Sequence, residues 1–319
     1  MKKILIIITV IFILLVVGIA VFALTFDANR YKAVLITKLE ESMDRDVAID
    51  SISVNLLSGI GLEAKGVAIK DRNKTWSDFL LKADRLNVSL EILPLFKKDI
   101  RVKKLFIPEL EINAGSGANS PVFKTTVDMD MRILIDGSSQ QEDMLKTLSA
   151  KGNARLTNVI LDKMNVLKTA LDQLNMLPNI VQKLKNNLPE KYSALLNQSY
   201  TPFKPINADF EIRDGSIYFD NLLVEAEAFY LVSKGSVGMI DQSLQISSNF
   251  FIPKDLSVVF SGVVPELKLI ADKDGLITMP LEIKGKIPNV SIMPDLNYVL
   301  QKLIASKGQE LLNKLFKGR

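Results

Sequence analysis

The 319-residue chain contains no cysteine and no histidine. Without thiols and imidazoles there is no cysteine nucleophile, no Ser-His-Asp triad and no zinc site built on those ligands. The one side chain whose unperturbed pKa lies near neutrality is also missing. Any catalysis would have to run on carboxylates, Lys, Tyr or Ser, and the chain is read as a non-enzyme with no cofactor and no metal. Absent disulfides fit an oxidising or a reducing compartment equally. A dense basic patch interleaved with aromatics is also lacking, since the net charge of +4 is spread along the chain. Nucleic acid is therefore not an expected partner.

Charge is missing altogether from Ile4 to Leu24, which also holds no Pro, Asn or Gln. At about 1.5 Å per residue the run spans ~30 Å, the thickness of a bilayer's hydrocarbon. Lys2 and Lys3 precede it and Asp27 is the first charge after it, so the positive-inside rule puts residues 1–3 in the cytoplasm. The alternative is a cleaved signal peptide ending near Val21-Phe22-Ala23, although its apolar region would be unusually long. Either reading exports the body.

Residues 26–45 read as a helix, with Asp27 as N-cap and an apolar stripe of Tyr31, Val34, Leu35, Leu39 and Met43. The apolar period then falls from 3.6 to 2. Val47–Leu57, Gly61–Asp71, Ala83–Leu93, Ile100–Asn113, Val122–Asp136 and Ser149–Asp162 alternate, as strands with one wet and one dry face do. Asn113–Pro121 is a loop. Residues 163–200 form a helical insert whose stripe holds Met164, Leu167, Leu171, Leu174, Ile180, Val181, Leu184 and Leu188, broken at Pro178. Alternation resumes at Asn207, with Asp214-Gly215 as a hairpin turn. It continues through residues 231–252, 256–271 and 276–292, for about fourteen strand segments in all. Helices are too few to cover every dry face. The predicted class is mainly β, α+β overall. The dry faces close on each other as a sandwich, or one curved antiparallel sheet presents an apolar groove to lipid.

The chain resembles the AsmA family of Gram-negative envelope proteins. At the N-terminus the likeness lies in "DANRYKAVLITKLEESMDRDVAIDSISVNL" and "GIGLEAKGVAIKD", following the apolar run. Towards the C-terminus it lies in "FKPINADFEIRDGSIYFDNLLVEA", "SKGSVGMIDQSL" and "MPLEIKGKIPNVSIMPD"; a mid-chain stretch, Gly152–Leu161, is similar too. The resemblance implies a single-pass inner-membrane protein: residues 4–24 transmembrane, 25–162 and 201–293 as two β regions, and the body periplasmic. It further implies phospholipid as ligand, in outer-membrane biogenesis, with outer-membrane assembly or lipid-transfer proteins as partners. A structural assembly factor with a closed core is the alternative. Relatives are often much longer.

On this reading the lipid-lining candidates are Phe210, Ile212, Ile217, Phe219, Leu244, Ile246, Phe250, Val258, Phe260, Leu267 and Leu269; in a closed protein they are core. Gly115-Ser116-Gly117 lacks the Gly-Lys-Ser/Thr and the strand-to-helix setting of a phosphate loop. Of Asp128, Asp130 and Asp136, the first two share a strand face with Arg132 as a solvated outer face does, and the Asn-x-Ser/Thr sequons at Asn73, Asn87 and Asn289 carry no meaning in a bacterium. Residues 294–319 form a basic amphipathic helix, with Asp295 at its start and an apolar stripe of Leu296, Val299, Leu300, Leu303, Ile304, Leu311, Leu312 and Leu315. Such a helix packs on the end of the sheet or lies on a membrane surface.

Overall fold

The alternating segments pair into one antiparallel sheet in the computed structural model. It describes residues 27–55, 61–75, 79–91, 101–113, 120–134, 148–173, 180–239, 241–286, 289–299 and 301–302. The strands are β1 (Asp46–Ala48), β2 (Ser51–Asn55), β3 (Gly61–Lys70), β4 (Leu81–Leu90), β5 (Val102–Asn113), β6 (Val122–Leu134), β7 (Ser149–Asp162), β8 (Thr201–Pro202), β9 (Ile206–Arg213), β10 (Ser216–Glu225), β11 (Tyr230–Gly238), β12 (Ser243–Ile252), β13 (Ile277–Lys286) and β14 (Asn289–Pro294). The path runs β1-β3-β4-β5-β6-β7-β9-β10-β11-β12-β13-β14, with β2 also on β3 and β8 also on β7. All fourteen described strands lie in this open sheet, so among the described residues no second sheet faces it as a sandwich requires.

Five α-helices accompany the sheet among the described residues: α1 (Lys32–Met43), α2 (Val166–Asp172), α3 (Ile180–Asn187), α4 (Glu190–Asn197) and α5 (Lys254–Val263). Two 3-10 turns, Ala28–Tyr31 and Pro265–Ile270, and a helical stretch after β14 (296–299 and 301–302) complete the described set. None of these is long and apolar enough to cross a membrane, and Ile4–Leu24 lies outside the described residues.

Local chemistry explains several boundaries. Asp27 accepts a hydrogen bond from the backbone of Asn29 at 3.1 Å and starts the first turn. Asn165 does the same for α2, accepting from Lys168 N at 2.8 Å. Asp214 and Gly215 both take positive φ, 51° and 68°, as a type I′ hairpin needs. Asp295 receives Asn297 N and Tyr298 N at 3.0 and 3.1 Å, so the helix that follows β14 begins where expected. Its Val299 is fully buried in the main core, which places this first turn on the protein rather than in solvent. The rest of its stripe, from Leu300 on apart from residues 301–302, lies outside the described residues.

Two expectations are corrected. Residues 256–271 are not a strand: they form α5 and the second 3-10 turn. Their buried positions, Leu256, Phe260, Val264 and Leu267, recur at helical spacing. Pro253 as N-cap and Asp255 in the first turn are the signals that alternation among the valines masked. The stripe of α1 is also rotated from its expected position. Ile36 and Leu39 pack on the sheet, whereas Tyr31, Val34 and Leu35 are exposed.

Candidate apolar binding face

Register carries the dry face across the whole sheet. Residues directly opposite in an antiparallel pair share a face. One row therefore runs Val54, Leu62, Val88, Leu105, Met129, Ala154 and Ala208. Another runs Ala150, Ile212, Ile217, Val237, Leu244, Gly285 and Val290. A third joins Phe219, Gly235, Ile246, Ile283 and Ile292. No residue in these rows is charged. Charge sits on the opposite face, where Lys104 meets Asp128 at 2.8 Å, Lys151 meets Glu211 at 3.5 Å and Asn153 donates to Asp209 at 2.9 Å. The hydrogen bond with Asp128 raises the Lys104 pKa, with burial opposing it. Asp128 is thus part of an outer-face ion pair, and Asp136 and Gly115–Gly117 lie outside the described residues.

Strand irregularities keep the dry face continuous. Gly66, Glu109 and Asn158 have φ near +60°, at 61°, 53° and 53°. Gly66 and Glu109 flank the same stretch of β4, around Asp84, in the register of β3, β4 and β5. At each such point two successive residues turn outward. Ala64 and Val67 consequently share one cluster, and Ile107 and Leu110 share another. The bulge between Phe219 and Leu222 does the same in β10. Gly152 meets a different need. A Cβ there would stand 2.8 Å from the Phe210 ring, so the glycine makes room for that ring on the dry face.

Cover is uneven. At the N-terminal end α1 packs over Val47, Ile49, Ile52 and Val67. In the C-terminal half α2–α5 bury Phe229, Phe250, Ile252 and Met279, with Phe229 and Phe250 stacked at 4.9 Å. Between them, buried Ala83, Ile107, Leu110 and Val127 form a cluster made only of strand residues, rimmed by half-buried Leu86, Leu105 and Met129. Along β10–β14 the row ends away from the helices are half-buried too, including Ile217, Phe219, Leu244, Ile246 and Ile283.

The candidates read from the sequence divide accordingly. Phe210, Ile217, Phe219, Leu244 and Ile246 share the partly open dry face, and Ile212 lies on it buried. Phe250 is on the same strand face as Leu244 and Ile246 but beneath the helices, 1% exposed. Phe260 and Leu267 are helical core, Val258 is exposed on α5, and Leu269 is half-buried in the 3-10 turn. Leu86, Leu105 and Met129 were not singled out, although the alternation of β4–β6 carried the same signal.

One long-range contact ties the two halves together. Arg45, in the turn before β1, donates to the side chain of Gln242, in the turn between β11 and β12, and also pairs with Asp71. Its burial lowers its pKa, with Asp44 acting the other way.

Comparison with curated proteins and with solved structures finds no match to the chain. The model of the AsmA family matches residues 1–120, a stretch that takes in α1 and β1–β5, and over it the chain is AsmA-like.

Proposed function

We propose that the protein binds or conducts phospholipid along the apolar face of its sheet, as a periplasmic body anchored in the inner membrane by Ile4–Leu24. The role is one in outer-membrane biogenesis, alongside outer-membrane assembly or lipid-transfer proteins, and without covalent chemistry. The observation that carries this reading is the set of charge-free rows crossing the sheet, with a central section that no described helix covers. The AsmA-like N-terminal portion supports an envelope setting.

The Arg45–Gln242 contact supports a curled groove. Eight strand pairings separate β1 from β11. Laid flat, they would hold the two turns ~38 Å apart at about 4.8 Å per strand. A twist of roughly 20–25° per strand accumulates to about half a turn over the same distance. Twist alone leaves the separation across the strands unchanged, so the contact between the β11–β12 turn and the start of β1 requires the sheet to curl as well.

Energetics suit passage more than storage. Removing an acyl chain from water gains about 0.8 kcal/mol per CH2. A bilayer already supplies that gain, so exchange between bilayer and groove is nearly balanced. The test is native mass spectrometry of the full chain extracted in several mild detergents. Retained phospholipid is expected, and its absence across all detergents contradicts the reading.

A further inference from the structure

The outer side of α1 is apolar over its first turns, where a helix packed on a sheet ordinarily carries charge. Tyr31, its N-cap, and Val34 and Leu35 are 60%, 55% and 43% exposed, while Ile36 and Leu39 of the helix face the sheet. Exposed Lys38 and Glu41 continue this outward side. The apolar run Ile4–Leu24 ends only three residues before Asp27. With that run in a bilayer, Asp27 lies no more than about 10 Å from the hydrocarbon boundary. The headgroup layer fills that interval.

We infer that α1 lies on the bilayer surface, its Tyr31, Val34 and Leu35 side sunk among the lipid headgroups. An aromatic, two aliphatic side chains and a lysine are what an interfacial helix presents to lipid. The other side of α1 holds β1–β3 through Ile36, Leu39 and the cluster beneath them. Contact with the bilayer therefore sets the N-terminal edge of the sheet, where Val54 and Leu62 begin the first row, against the lipid source. The inference rests on the anchor reading of Ile4–Leu24 but not on lipid uptake by the sheet.

Because the chain has no cysteine, single labels can be placed without background. V34C, L35C, K65C and L15C variants of the full chain, each carrying an NBD fluorophore, are reconstituted in phosphatidylethanolamine–phosphatidylglycerol vesicles containing a bromolipid quencher. Circular dichroism confirms that each stays folded. NBD at positions 34 and 35 is expected to shift blue and lose roughly half its emission to the quencher, with position 15 quenched more strongly and position 65 unquenched. Quenching at 15 with none at 34 and 35 overturns the inference and leaves the anchor standing. No quenching at 15 overturns both. Spin labels at 34 showing close pairs between chains, without lipid quenching, assign the face to a second copy and overturn it as well.

Discussion

Single residues determine whether the dry face survives from one strand to the next. Gly66 has φ of 61°, and a Cβ there would lie 1.9 Å from Asp50 Oδ2. Gly66→Ala must meet both the left-handed penalty and the displacement of Asp50, and is expected to cost about 2 kcal/mol. The urea midpoint of the protein measures it, and an unchanged midpoint would mean that this kink is not required. Glu109 and Asn158 hold the same conformation without glycine's freedom, so they sit at a local cost that the surrounding register sustains. Polar residues on the other face contribute less, because exposed pairs such as Lys151–Glu211 are worth at most about 1 kcal/mol.

Among the elements, helices decide which part of the face is core and which is open. Phe260 of α5 is fully buried against the sheet, so Phe260→Ala is expected to lose about 3–5 kcal/mol. Phe219, half-buried on the open part, behaves differently. Phe219→Asp is expected to cost at most about 1 kcal/mol and to abolish retained phospholipid. Thermal melts and lipid analysis of the two variants separate these outcomes, and unfolding by Phe219→Asp would make that site core. The strands were legible because a half-wet strand writes its two faces into alternate residues, as in β6 and β12. The Asp214-Gly215 turn and the Asp27 and Asp295 caps were equally explicit. α5 was not legible, since its paired valines imitate a strand and its true period appears only across Leu256, Phe260, Val264 and Leu267. Which candidates would be covered was also hidden, because cover comes from α2–α5, elements remote in sequence from much of the surface they bury.

For the whole molecule, the proposed function depends on the curvature of an open sheet of fourteen described strands and on its two unlike faces. Nitroxide labels in the D44C/D241C variant report the curl by dipolar spectroscopy. The account predicts a distance far below the ~38 Å of a flat sheet, and a value near that figure would remove the groove. Both positions lie in the turns that Arg45 and Gln242 join. The central claim is that lipid occupies the dry face and not the wet one. It is tested most directly by placing a benzophenone amino acid at Phe219 or at its outward neighbour Tyr218, then irradiating the full chain in native membranes. Phospholipid attached at 219 and absent at 218 is the predicted result; equal labelling at both positions, or none at 219, would contradict it.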